Sequence, residues 1–164
     1  MNKELVIKNS SGIKINTRLL KKIVNYYVLD VLKENDFSLG IFLVKPTKIA
    51  EINEKFLQHE GHTDVISFNY SEFGDAIEEL MEGRKEQLYG EIYVCPQVAF
   101  EQSKKFKAPV NEEFLRYVIH GILHIKGYDD LNPQDRKKMR NQENKAIKKI
   151  KSAFKIEELI EKGF

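Results

Sequence analysis

Apolar positions along this chain follow two rhythms. Short runs rich in β-branched and aromatic residues predict strands at Leu5 to Ile7, Ser38 to Val44, Thr63 to Tyr70 and Leu88 to Cys95. Between them the spacing turns helical. Asn16 or Thr17 is placed to cap a helix running to about Lys33, with Leu19, Leu20, Ile23, Val24, Tyr27 and Val31 on one face, and a second helix spans about Thr47 to Leu57. The second half reads as helices alone. Pro96 opens one that ends near Lys107, and Asn111 caps the next. That helix carries Phe114, Leu115, Val118, Ile119, Ile122, Leu123 and Ile125 to a stop at Gly127. Being apolar around most of its circumference, it is expected at the centre of the molecule. Pro133 then starts a long helix from Gln134 to about Ser152. Strands interleaved with helices, then helices alone, predict an α+β layer with one sheet packed by helices on one side.

No repeat or linker divides the sequence, so residues 1–164 are expected to form a single domain, with about 153–164 as a helical tail. The lone cysteine, Cys95, rules out an internal disulfide and suits a reducing compartment; it is expected to be a small apolar filler on a strand. No export signal is visible, and no apolar run approaches the roughly 18–20 residues that cross a bilayer. A cytoplasmic protein with no membrane partner is expected. Net charge is +2, but it is unevenly spread: residues 51–91 are acid-rich and residues 136–155 are crowded with Lys and Arg. The plainest account of that basic stretch is a solvated helix face. The sharper one is a surface turned toward nucleic-acid phosphates. The acidic segment 74–85 reads as a surface excursion between strands.

Chemistry concentrates in His120-Gly-Ile-Leu-His124-Ile-Lys-Gly127-Tyr128-Asp129-Asp130. Two histidines four apart on a helix share a face, with Cβ atoms about 5–6 Å apart, close enough to converge on one ion. Gly127 ends the helix and lets the chain turn back to bring Tyr128, Asp129 or Asp130 beside them. Three protein ligands with a fourth position open to water is the arrangement of a catalytic zinc site. Such an ion lowers the pKa of bound water toward about 7 and so provides a hydroxide nucleophile. Histidines on an apolar helix can instead be satisfied core residues, but an unpartnered buried pair is costly and the acidic residues follow at once. The zinc peptidase helix places a general-base Glu after its first histidine. Here that residue is Gly121, which disfavours a peptidase and is expected to leave room over the metal for a bulky substrate such as a phosphodiester.

The same run resembles the signature of the YbeY family, His-Gly-x-Leu-His-x-x-Gly-Tyr-Asp-His. Thr63-Asp64-Val65-Ile66-Ser67-Phe68 is similar to that family's Val-Leu-Ser-Phe strand, Gly90-Glu91-Ile92-Tyr93-Val94 to its Gly-Asp-Ile strand, and the trailing helix with Met139 and Glu143 also fits. The resemblance covers nearly the whole chain. It implies a zincin-like α+β domain, a mixed four-stranded sheet packed by about five to six helices. It further implies a metal-dependent endoribonuclease for single-stranded RNA, acting in 3′-end maturation of small-subunit (16S) ribosomal RNA and in ribosome quality control. One Zn²⁺, or another divalent ion, would be held by His120, His124 and Asp130, and the partners would be ribosomal RNA and the small ribosomal subunit.

Two positions depart from the pattern. Asp130 stands where the family has His, which adds one negative charge to the ligand set and predicts a less acidic bound water; the pH–activity profile of Asp130→His beside the parent tests this. Leu57 stands where the family has a functional Arg. Phosphate contacts could come instead from His59, His62, Lys126, Arg136, Lys137 or Arg140, although His59 and His62 also read simply as surface-loop histidines. Two readings compete with the nuclease. One is a non-catalytic ribosome-associated RNA-binding factor with a structural metal. The other is a non-haem iron enzyme, since two histidines and a carboxylate form that ligand set.

Overall fold

The computed structural model describes residues 2–57, 65–70 and 88–161. Strands β1 (Lys3–Asn9), β2 (Phe37–Leu43), β3 (Val65–Asn69) and β4 (Leu88–Val94) form one mixed sheet in the order β1-β2-β4-β3. β1 with β2 and β2 with β4 are parallel, while β3 with β4 is antiparallel. Among the described residues five α-helices accompany them: α1 (Thr17–Tyr26), α2 (Pro46–Leu57), α3 (Pro96–Phe106), α4 (Val110–Lys126) and α5 (Pro133–Ala153). No described helix is long and apolar enough to cross a membrane. His59, His62, Thr63, Asp64 and the acidic segment 74–85 lie outside the described residues.

Alternation along the strands builds the core. In β2 every second residue is buried (Phe37, Leu39, Ile41, Leu43), and in β4 so are Leu88, Gly90, Ile92 and Val94. These share one face with Ser67, whose hydroxyl donates to the Gly121 carbonyl of α4 at 3.2 Å. Helix α4 therefore lies on the buried face and is itself buried at Leu115, Val118, Ile119, Ile122 and Leu123, as its all-round apolar pattern requires. Among the described residues the opposite face is less covered. There Phe42 stacks on Tyr93 (5.1 Å between centroids), Phe68 meets Tyr93 edge-on, and Phe56 of α2 meets Phe68 edge-on at 5.8 Å. One helix thus touches the second face, which single-sided packing did not anticipate.

Several boundaries differ from expectation for local reasons. Asn16 caps α1 by accepting from the Leu19 N–H, but the α-helix ends at Tyr26 and continues as a π-helical turn, Tyr27–Val31, that buries both Tyr27 and Val28. Asn111 is not a cap. Pro109 holds that position, α4 starts at Val110, and the Asn111 side chain accepts from the Ile160 N–H at 3.0 Å. Cys95 lies just past β4 at the N-cap of α3; it is fully buried, and burial pushes its thiol pKa up. The described part of the tail, to residue 161, is only briefly helical, a 3₁₀ turn at Ile156–Glu158; residues 162–164 lie outside the described residues. Beyond it Ile160 bridges to Ile15, and the Asn16 N–H donates to the Leu159 carbonyl at 2.7 Å.

Candidate metal centre

The site forms where α4 ends and α5 begins. Gly127 adopts φ 116°, and its N–H reaches back to the carbonyls of Leu123 and His124 while that of Tyr128 reaches Leu123. Only glycine takes this left-handed turn freely, and it folds the chain back over the last helical turn. The Tyr128 carbonyl thereby comes within 3.1 Å of His124 Nδ1. Asp129 Oδ1 accepts from the Asp130 N–H at 2.9 Å, bracing the turn that presents Asp130. Asn132 then caps α5, accepting from the Asp135 N–H and donating to the Asp135 carboxylate, each at 2.8 Å.

His120 and His124 face each other with Nε2 atoms 2.9 Å apart, and Asp130 Oδ2 lies 3.4 Å from both. The three donor atoms lie within 4.8 Å of one another, a grouping that could hold a metal ion. The outer nitrogens settle what the inner ones offer. A carbonyl oxygen only accepts, so His124 Nδ1 donates to Tyr128. His120 Nδ1 lies 2.7 Å from Glu143 Oε2, a carboxylate that likewise accepts. With both Nδ1 atoms donating, a neutral ring at each position turns its Nε2 lone pair toward the other ring and toward a carboxylate. Lone pairs at that spacing repel unless a cation lies among them, and shared ligation by bonds of about 2.0–2.2 Å gives such a spacing. The donor set therefore fits a divalent ion.

Glu143 is the residue whose role the motif alone did not disclose. It is 5% exposed, on the buried stripe of α5 with Met139, Ala146, Ile147 and Ile150. Burial pushes its carboxyl pKa up, but hydrogen bonds from His120 and from Arg116 (Nη1 to Oε1, 3.0 Å), with their charges, outweigh this and hold it below the usual carboxylate value. An acidic residue in an otherwise apolar stripe was the available signal.

The other candidates are sorted by position. Arg136 and Arg140 line a cavity that also touches His120 and Asp130. Lys126 is paired with Glu34 at 2.5 Å and Lys137 is exposed; neither lines that cavity. Gly121 does not play the part expected of it. A Cβ built on it would lie 2.6 Å from Ile92 Cγ2 and 3.2 Å from Val65 Cγ2, so this glycine lets α4 approach the sheet.

Comparison with known proteins agrees in sequence and in fold. The chain is 36% identical over 116 residues to the Endoribonuclease YbeY of Thermotoga petrophila, covering 70% of this chain and 69% of that one. It is 33% identical over 127 residues to that of Flavobacterium psychrophilum (76% and 82%) and 30% identical over 146 residues to that of Thermotoga maritima (88% and 87%). The solution structure of TM1509 from Thermotoga maritima superposes with a TM-score of 0.61 at 27% identity, covering 91% of this chain and 90% of the other. A family model described as Endoribonuclease YbeY matches residues 6–151, which include most of the sheet, the paired histidines and the Glu143 that contacts one of them, and on that extent of agreement the chain belongs to the YbeY family of endoribonucleases.

Proposed function

We propose that this protein is a metal-dependent endoribonuclease that cuts single-stranded RNA, with Zn²⁺ on His120, His124 and Asp130. The observation that carries the reading is the convergence of two imidazole lone pairs and one carboxylate in a chain of this family. A divalent ion bound there supplies Lewis acidity and an activated water at neutral pH. The chain's own residues prepare the site. Glu143 and the Tyr128 carbonyl engage Nδ1 of each histidine and so direct both Nε2 atoms to the common point, and Arg116 holds Glu143 in turn. The left-handed turn at Gly127 carries Asp130 to the same point. The partial exposure of all three side chains leaves a path for an extended strand. On the family likeness, the substrate we propose is small-subunit (16S) ribosomal RNA near its 3′ end, in maturation and ribosome quality control on the small ribosomal subunit, in the cytoplasm.

One feature favours a second reading. The candidate centre joins α4 to α5, so an ion there would also tie the helices together, as in an RNA-binding factor with a structural metal. Elemental analysis of the purified protein, with cleavage of single-stranded RNA measured before and after chelation, decides between them. The nuclease reading expects about one divalent ion per chain, cleavage abolished by chelation and restored by Zn²⁺. Undiminished cleavage in fully stripped protein would sink it, and a lowered Tm with no cleavage in either state would favour the structural metal.

A further inference from the structure

A cavity of about 340 Å³ adjoins the ligand triad between α4 and α5, and three arginines share it with His120 and Asp130. The carboxylates in it are mostly committed. Glu143 is engaged by Arg116 and His120, and Asp130 faces the two imidazoles, which leaves Glu113. Two of the three arginines retain free donors. Arg136 makes one long contact, 3.4 Å from Nη1 to the Asp130 carbonyl, and Arg140 has no polar partner among the described residues. They stand one helical turn apart on α5, with Cβ atoms about 5–6 Å from each other. Arg136 reaches the backbone of a triad residue, Asp130.

Exposed arginines on a basic helix usually do no more than keep it solvated. Here the placement is selective. Lys137, Lys138, Lys145 and Lys148 of the same helix do not line the cavity, whereas Arg136 and Arg140 do. A guanidinium presents its donors as a rigid fork that matches two oxygens of one phosphate, which a lysine ammonium cannot do. The first turn of α5, where Arg136 lies, adds the favourable end of the helix dipole.

We propose that Arg136 and Arg140 form a backbone-phosphate subsite beside the metal ligands, gripping the RNA strand next to the bond that is cut. This rests on the ribonuclease reading and adds the residues that hold the strand. Arg116 is a positioning residue, committed to Glu143, and Glu113 opposes the strand.

The test titrates a short fluorescent phosphorothioate oligoribonucleotide, single-stranded and slow to be cut, into the protein as purified at several salt concentrations. In the Arg136→Gln/Arg140→Gln variant, binding at fixed salt weakens about tenfold or more, because hydrogen bonds to charged groups are lost. The slope of log affinity against log salt falls by roughly 0.7 per lost phosphate contact, about 1.4 in all. Glu113→Gln tightens binding, and Lys126→Gln with Lys137→Gln changes neither quantity. An unchanged slope in the arginine variant, or an equal fall in the lysine variant, would overturn the subsite. If the parent binds and cuts RNA in that case, only the subsite fails. A parent that neither binds nor cuts RNA defeats the ribonuclease reading and the subsite together.

Discussion

Single side chains decide whether the candidate centre holds an ion. Asp130 Oδ2 is equidistant from the two histidines, whereas Asp129 is engaged with the Asp130 N–H. Asp130→Ala should therefore lose bound metal while Asp129→Ala keeps most of it, measured by elemental analysis after dialysis; equal metal content would show that Asp130 is not the ligand. Glu143 acts through His120. Partners that orient a metal-bound histidine typically carry 10–100-fold in affinity. Glu143→Ala should weaken metal affinity by about that factor in a competitive chelator titration, and Glu143→Gln, which still accepts from His120 Nδ1, should lose less. An unaltered affinity in the Ala variant would remove Glu143 from the site. The sequence displayed His120, His124 and the acidic pair because their spacing is local. It did not display the bond between Glu143 and His120, because 23 residues separate them and only packing brings them together.

Among the elements, the strands and helices were legible from their rhythms, and misreadings arose where a distant partner overrode a local preference. Asn111 is a good capping residue, yet its oxygen is taken by the Ile160 N–H, and Pro109, with φ −62° and ψ 131°, leads into α4 instead. Gly121 looked like clearance over a metal; its role is the close approach of α4 to β4 and β3. Adding a methyl there sets a helix-propensity gain of about 1 kcal/mol against an overpacking cost of about 1–3 kcal/mol. A contact of 2.6 Å inside a buried interface puts the cost toward the upper end, so Gly121→Ala should lower stability by about 1–2 kcal/mol in urea unfolding. Ile92→Ala removes the clashing methyl. Combined with Gly121→Ala, it should cost less than the sum of the two single changes, and strict additivity would show that the clash relaxes elsewhere.

Across the whole molecule, closure depends on contacts between the two ends of the described chain. Leu159 is fully buried, Ile160 bridges to Ile15, and the Glu161 N–H donates to the Lys14 carbonyl at 3.2 Å. Composition and periodicity marked residues 153–164 only as a helical tail, since an isolated pair of apolar residues carries no rhythm. Leu159→Ala should cost about 2–5 kcal/mol, as core truncations do, and Asn111→Ala about 1 kcal/mol for one lost hydrogen bond, both measured by thermal unfolding. A Leu159 variant as stable as the parent would show that the tail only decorates the surface. The seam also has a temporal consequence. Its partners are Lys14 to Asn16 on one side and Leu159 to Glu161 on the other, so during synthesis a growing chain holds the segment before α1 long before the one that latches onto it exists. Closing that seam is therefore a late step for a growing chain, taken only after the helices that carry the paired histidines and Glu143 have been made.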